Sequence, residues 1–505
     1  MCSLALFPPP PPRGHVTLCE RNNELIAADV EDPQFTEQIP RLSFPTVYFP
    51  RDSVRTSSGP ESTLHAAFLN QPCNSFWRKT ARAWREAGLV GLLEEILHPE
   101  DKVPSWLMSA SKGALNLYRW LISMRTLFHP HYLIGHEEMV SKFSQVTDWH
   151  NSPLRVFAWH PHTAKLAVAL LDDSIRIFYV KSRTVPVLRH RCQRGVADIA
   201  WRPMAAAGLA VACRGAVVIW QVEPSSLSTR PSSCCVQVLS QSGPVTSLAW
   251  NPHGEMLIAA SPASSSLKVW EVATERCITL PVHGAGGIAN LSWSPDGARL
   301  LVATLSPVIR VYETLTWNWE RWPTLSGRCQ SACWSPDGSI LLFAVQGEHV
   351  IYSLKFTTGA DESQGIVGGS KAAAICADVS TFEIESADGR SVKVGGEVQM
   401  MTWDSTGERL AVLLRGENKI AIFKTRTHPL FELLPCGFVQ GEEGTVPQLM
   451  SFFPTFGKGA LLTVGWSNGR LSHIPFSFVV GHKVPRSPLK ATELNRSQSL
   501  FSQMI

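Results

Sequence analysis

IANLSWSPDG, residues 288–297, is the clearest copy of a pattern that decides the fold of this chain. Alternating apolar and small residues lead to a Trp, and a Pro and a Gly follow within four positions. The alternation suits a strand with at least one buried face, and the Pro and Gly suit a tight turn. Two further strand-like runs follow at 299–304 and 308–312. The pattern therefore predicts a unit of short strands joined by turns.

Working outward, the same pattern occurs seven times between residues 150 and 480. Its anchoring aromatic residues are Trp159, Trp201, Trp250, Trp293, Trp334 and Trp403, with Phe452 at the seventh place. A second apolar anchor follows each after 18 to 22 residues, at Phe178, Trp220, Trp270, Tyr312, Tyr352, Phe423 and Ile474. Repeats of this length with four short strands are typical of WD-repeat propellers. We therefore expect an all-β, seven-bladed propeller whose anchoring Trp side chains pack between blades.

The repeats depart from the usual pattern in three ways. The Trp-Asp dipeptide is missing, since Gln221 follows Trp220 and Glu271 follows Trp270. The 69 residues from Trp334 to Trp403 predict an insertion of loop composition at about 355–396. Either of two segments, 15–27 or 475–480, has the composition of the strand that would close the ring.

The chain before the propeller has a different composition. We predict an extended N-terminal segment at 1–61, a helical module at 62–146, the propeller at 147–481 and a disordered tail at 482–505. The five prolines at 8–12 favour a polyproline II rod, which is either a stiff linker or a ligand for a proline-reading domain.

The predicted helix at 103–128 is apolar over more than one face, so it either packs internally, offers a face to a partner helix, or lies on a bilayer. Large aromatic side chains dominate the energetics of interfaces. The partner-binding candidates in the helical module are Trp77, Trp84, Trp106 and Trp120.

Composition argues against several classes of function. The net charge is only +4 and no run of five Lys or Arg residues occurs, which argues against direct nucleic-acid binding. The most apolar stretch carries Lys112, Arg119 and Arg125, so no membrane span is expected. The 12 cysteines lack zinc-site spacing, and scattered reduced cysteines indicate a protein that faces the cytosol or nucleus.

Three motifs resemble those of enzymes or metal sites. Residues 465–469 read G-x-S-x-G, but a strand-like run follows where a nucleophile elbow needs a helix. Residues 284–289 resemble a dinucleotide fingerprint that leads into a strand. The histidines at 129, 131, 136, 160 and 162 have no acidic or Cys partners in the pattern. We therefore expect a protein that is not an enzyme, with no catalytic, cofactor or metal site.

Several stretches resemble the aladin family of WD-repeat nucleoporins. They lie at 1–4, 7–14, 154–163, 227–233, 320–330, 407–412, 431–437 and 458–467. The resemblance extends from residue 1 to about residue 480, and the chain departs from it after His482, where the family's proline-rich tail is missing.

The resemblance implies a scaffold subunit of the nuclear pore complex. It implies a protein held at the nuclear envelope by an integral-membrane nucleoporin and in contact with other pore subunits. It also implies support of nuclear protein import, a role in the mitotic spindle, and a place at spindle poles or centrosomes in mitosis. The alternative is a WD-repeat substrate adaptor of a soluble ubiquitin-ligase or signalling complex.

Overall fold

The computed structural model describes residues 2–32, 47–54, 135–222 and 236–477 apart from short internal gaps, together with positions 35, 42, 44, 106, 109–114, 116 and 117. Before the ring the elements are β1 (Cys2–Ser3), β2 (His15–Arg21), β3 (Glu24–Asp29), β4 (Val47–Tyr48) and α1 (His136–Phe143), with 3₁₀ turns at Leu4–Leu6 and Arg51–Ser53.

The blades follow in chain order. Blade 1 contains β5 (Leu154–Trp159), β6 (Lys165–Leu170), β7 (Ile175–Tyr179) and β8 (Val187–Leu188), and blade 2 contains β9 (Asp198–Trp201), β10 (Gly208–Ala212), β11 (Ala216–Gln221) and β12 (Val236–Ser240). Blade 3 contains β13 (Ser247–Trp250), β14 (Met256–Ala260), β15 (Ser266–Glu271) and β16 (Arg276–Pro281), and blade 4 contains β17 (Ile288–Trp293), β18 (Arg299–Thr304), β19 (Val308–Glu313) and β20 (Trp319–Pro323).

Blade 5 contains β21 (Cys329–Trp334), β22 (Ile340–Val345), β23 (Val350–Lys355) and β24 (Ala374–Asp378), and is followed by a hairpin of β25 (Phe382–Glu385) and β26 (Ser391–Val394). Blade 6 contains β27 (Val398–Trp403), β28 (Arg409–Leu414), β29 (Lys419–Arg426) and β30 (Glu432–Gln440), and blade 7 contains β31 (Pro447–Phe452), β32 (Ala460–Trp466) and β33 (Arg470–Ser477). The predicted all-β, seven-bladed propeller is confirmed.

The consecutive strands of each blade are antiparallel, and the second strand is fully buried in every blade except the third, where Met256 is partly exposed. All six residues of β18 and of β22 are buried, because neighbouring blades cover both faces of these strands. The Pro-x-Gly turns after the innermost strands of blades 3, 4 and 5 pack on the turn of the previous blade. Gly254, at φ +73°, lies so close to the Pro203 carbonyl that a β-carbon would collide with it, which explains the Gly.

The anchoring Trp side chains lie between blades. The indole N–H of Trp201 donates to Ala158 O at 3.0 Å, and that of Trp250 donates to Ala200 O at 3.1 Å. The same bond recurs from Trp293 to Ala249 O at 3.3 Å and from Trp334 to Ser292 O at 3.2 Å. In each case the acceptor immediately precedes the anchor of the previous blade, so one repeated bond joins blades 1 to 5.

The strand that closes the ring is N-terminal. β2 pairs in parallel with β33 through Glu20–Phe476 and Arg21–Ser477, and β4 pairs with the other end of β33. Pro475, which begins the other candidate segment, belongs to β33 itself. β1 is also a parallel addition, on β24 of blade 5.

The insertion near residues 355–396 contains more regular structure than its loop composition indicates. Its first part leads to β24, the outer strand of blade 5, and its second part is the β25–β26 hairpin. The hairpin was missed although both of its strands alternate apolar and polar residues, because each strand is only four residues long and lies within a segment of loop composition.

Candidate interaction surfaces

The N-terminal residues 2–29 and 47–54 form a strap across the outside of blades 5, 6 and 7. Phe7 is buried, and its ring lies 5.0 Å from the rings of both Phe423 and Phe438 in blade 6. Further along, Phe49 of the strap lies 6.1 Å from Phe178 of blade 1. The strap therefore contacts each blade from the fifth around to the first.

The polyproline run is part of this strap. Pro10 is buried, and its carbonyl accepts a hydrogen bond from Ser386 Oγ at 3.2 Å. The Pro12 carbonyl accepts one from Gln440 Nε2 at 3.0 Å. Proline lacks an N–H but keeps its carbonyl, so the run binds the propeller through acceptors. These contacts attach the run to the propeller of its own chain, which neither the linker nor the ligand interpretation predicted.

A buried ion pair ties the strap to blade 6. Arg409 donates through Nε to Glu20 Oε2 at 3.0 Å and through Nη2 to Glu20 Oε1 at 2.5 Å, and both side chains are 0% exposed. Arg409 Nη2 also donates to Asn23 Oδ1 at 2.8 Å. A bidentate pair of this kind fixes direction as well as distance. The pair therefore sets the register of the strap on the ring.

Residues 135–152 form a plug at the mouth of the central channel, at the face where the innermost strands begin. Val140 of α1 is buried in a cluster with Trp149 and Ala197. Gln399 Nε2, from the innermost strand of blade 6, donates to Gln145 O at 3.1 Å. α1 lies within the helical module predicted at 62–146, although no separate helix was predicted at this place; Glu137 and Glu138 in its first turn and Lys142 in its last match the helix dipole.

Two arginines of the ring hold aromatic side chains of the plug. The guanidinium of Arg155 lies 3.7 Å from the ring centroid of Trp149, and that of Arg328 lies 4.9 Å from that of Phe143. Burial lowers the pKa of Arg155 to about 10, although Asp173 and Asp148 act in the opposite direction. An exposed ion pair of Glu137 with Arg214, at 3.6 Å, adds a contact at the rim.

Of the four partner-binding candidates, only Trp106 lies among the described residues. It is helical and 69% exposed, and Leu117 nearby is 59% exposed. Trp77, Trp84 and Trp120 lie outside the described residues, as do most of the helical module predicted at 62–146 and the tail predicted at 482–505. Trp106 stays a candidate because it is a large aromatic side chain open to a partner.

The enzyme-like motifs have structural roles. Ser467 Oγ accepts a hydrogen bond from the Val446 amide at 3.1 Å, in the turn between β32 and β33. His160 Nδ1 accepts hydrogen bonds from two backbone amides of its turn, and its Nε2 lies 3.1 Å from Ala205 O in the next blade. Residues 284–289 lead into β17, as predicted.

Among the described residues, no group of three or more His, Cys, Asp or Glu side chains is placed to hold a metal ion. Within the same residues, no helix has the length and apolar character that a membrane crossing requires.

Comparisons with known proteins agree with the fold. A family model described as the Aladin seven-bladed propeller matches residues 135–477. An Arabidopsis thaliana protein named Aladin is 30% identical over 356 residues, covering 64% of this chain and 76% of that protein. A Xenopus laevis protein named WD repeat and HMG-box DNA-binding protein 1 is 27% identical over 146 residues, or 27% of this chain and 12% of that protein. Among solved structures, the β-propeller domain of Myceliophteria thermophila Cps50 (Swd1) is similar with a TM-score of 0.48 at 15% identity, covering 64% of this chain and 96% of that one.

Proposed function

The chain belongs to the family of Aladin seven-bladed propellers, which gives it a nucleoporin-type scaffold role at the nuclear pore, and from this membership we propose its finer function. It is a non-enzymatic adaptor held at the pore membrane by an integral-membrane nucleoporin. There it contacts other pore subunits, supports nuclear protein import, and takes part in spindle assembly during mitosis.

The match of the family model to residues 135–477 is the observation that carries this proposal. The geometry of the ring supports a binding role. The strap covers the outside of blades 5 to 7, and the plug fills one mouth of the channel. Outer strands such as β16, with five of six residues exposed, leave other parts of the rim open to partners.

The partner-binding proposal concerns the segment between the strap and the plug. Trp106 presents a large aromatic side chain to solvent on a helical segment, and Trp77, Trp84 and Trp120 are proposed to act with it. A variant of the full chain tests this better than a truncation near residue 147, because such a truncation removes β2 and β4, which complete blade 7.

The experiment is affinity capture from detergent-solubilised nuclear envelopes. The full chain should retain a transmembrane nucleoporin, and the W77A/W84A/W106A/W120A variant should lose at least tenfold of it. W319A is the matched control, since Trp319 is a 41% exposed Trp of blade 4. Circular dichroism and thermal melting establish that each variant folds.

Two outcomes would contradict the proposal. Undiminished capture by the folded quadruple variant would place the anchor on the blades and refute the four Trp residues. Failure of the wild-type chain to retain any pore-membrane protein, with a diffuse distribution in cells, would instead favour the soluble adaptor.

A further inference from the structure

A polar cavity of about 200 Å³ lies in the central channel beneath the plug. Its walls are the C-terminal end of α1 and the first residues of the innermost strands of blades 3 to 6. Hydroxyl and amide side chains dominate the lining, namely Thr246, Ser247, Asn290, Gln330, Ser331 and Gln399. All of these side chains can donate hydrogen bonds.

The charges in this cavity are of one sign. Lys142 and Arg328 line it, and the lining contains no Asp or Glu among the described residues. Glu397 is a carboxylate whose charge acts on the Arg328 guanidinium. It already pairs with Arg415 at 3.3 Å and accepts a hydrogen bond from the Gly347 amide at 2.9 Å. Two cations therefore face a common space without an anion in it.

Arg328 lacks a charged hydrogen-bond partner within the described part of the chain. Its Nε donates to the neutral Gln346 Oε1 at 3.0 Å, and its face covers the Phe143 ring. Burial lowers the pKa of this guanidinium, because the charged form loses hydration, and Glu397 offsets only part of that loss. Arg328 is half-buried and these two partners are neutral, so a bound anion would offset the hydration that its guanidinium loses.

A second and independent observation comes from Thr246. Its side chain is only 5% exposed, and within the described residues its hydroxyl has no hydrogen-bond partner. Buried hydroxyls are normally satisfied by protein, water or ligand. Thr246 therefore marks a place in the lining where a bound group would complete the hydrogen bonding.

We propose that this cavity binds a small oxyanion, a phosphate group carried by inorganic phosphate or a compact phosphate monoester. The volume lies below the roughly 300 Å³ at which pockets for drug-sized ligands begin, which suits a compact group. Arg328 and Lys142 supply the charge, and Thr246 and the neighbouring amides supply neutral donors. The site is independent of the partner surface proposed above.

The test is isothermal titration of the full-length protein with inorganic phosphate and, separately, with glycerol phosphate, at constant ionic strength in chloride. Titration is preferable to melting alone, since phosphate raises the stability of many proteins by exclusion from their surfaces. The variants are R328Q and K142Q, with K458Q as the matched control, because the exposed Lys458 lies in a different turn outside the cavity.

We expect saturable 1:1 binding to the wild type and to K458Q, and at least tenfold weaker binding to R328Q. K142Q should weaken phosphate binding less than R328Q does, because the charge of Lys142 is shared between the cavity and the negative end of α1.

Tighter binding of glycerol phosphate than of phosphate would identify a monoester as the ligand. The proposal would be overturned if the wild type showed no saturable binding, or if K142Q, R328Q and the control K458Q bound with equal affinity. Since Lys142 is exposed, K142Q keeps the test decisive if R328Q fails to fold.

Discussion

Two arcs of the ring are held together in different ways. From blade 1 to blade 5, each junction contains the same bond, from the indole N–H of one anchor to the backbone of the previous blade. From blade 5 around to blade 1 that bond is missing. Trp403 donates to Thr425 in its own blade, Phe452 has no N–H, and Trp159 donates to the side chain of Thr463.

The strap crosses the arc in which the repeated bond fails. β1 lies on blade 5, Phe7 on blade 6, β2 and β4 on blade 7, and Phe49 reaches blade 1. Buried apolar side chains of the strap join the cores of this arc. A degenerate repeat can therefore lose the indole–carbonyl bond between neighbouring blades where a separate segment of the chain supplies other contacts.

We expect the greatest loss of folding stability from a substitution in the buried ion pair that joins the strap to blade 6. Glu20→Gln removes the fully buried charge that faces Arg409 and leaves the partly exposed Glu408, 3.8 Å from Nη1, as a remaining carboxylate partner. Removing one partner of such a pair costs about 3–5 kcal/mol. Urea denaturation of the full chain should show this loss.

Glu432→Gln is the matched control for this change. The Arg426–Glu432 pair is 57% and 50% exposed, and an exposed pair contributes about 1 kcal/mol or less. Equal losses in the two variants would mean that the strap does not depend on the buried pair.

A smaller effect should distinguish the two kinds of junction. Trp250→Phe removes the indole hydrogen bond to the half-buried Ala200 carbonyl, and the loss of such a bond costs about 0.5–1.5 kcal/mol. Trp403→Phe removes a bond to Thr425 Oγ1, which keeps its own bond to the Gly407 carbonyl. The same loss of ring size applies to both, so thermal unfolding should rank Trp250→Phe as the more damaging. The reverse order would show that the indole–carbonyl bond does not stabilise the regular arc.

The smallest expected effect is a pH dependence of folding stability that arises at the junction of blades 2 and 3. Asp198 Oδ2 accepts the Leu248 amide of blade 3 at 2.8 Å, whereas Ser247 and Ser331 supply hydroxyl acceptors at other junctions. Burial raises the pKa of Asp198 to about 7, despite hydrogen bonds from Leu248 and Ile199 that act in the opposite direction. The folded protein therefore holds a proton that the unfolded chain releases near pH 4.

It follows that the wild type loses stability from this group as the pH rises from about 4 through 7. Asp198→Ser should remove that loss, so its melting temperature should fall less than that of the wild type between pH 5 and pH 8. Parallel pH profiles of the two proteins would show that Asp198 does not carry the proton.

The repeated part of the molecule was predictable from sequence, whereas of the strap only residues 15–27 were identified, as one of two candidates for the closing strand. The strand and turn at 288–297 are specified by residues within ten positions of one another, and β17 and its turn lie where the pattern places them. The anchor at Trp403 was recognised, but its changed hydrogen bond depends on a neighbour that the repeat does not specify. Trp106 was singled out as an aromatic candidate, and its exposure became known only from the structure.

By itself, the sequence determined the number of blades, the position of each innermost strand and the site of the insertion, because each of these is written in local periodicity. Only the tertiary structure decided how the ring closes, which segment plugs its channel, and which charges are buried. Glu20 and Arg409 are 389 residues apart, and neither has a local pattern that identifies the other. Their pairing depends on the closed ring, which brings the start of the chain against its sixth blade and excludes water from both charges.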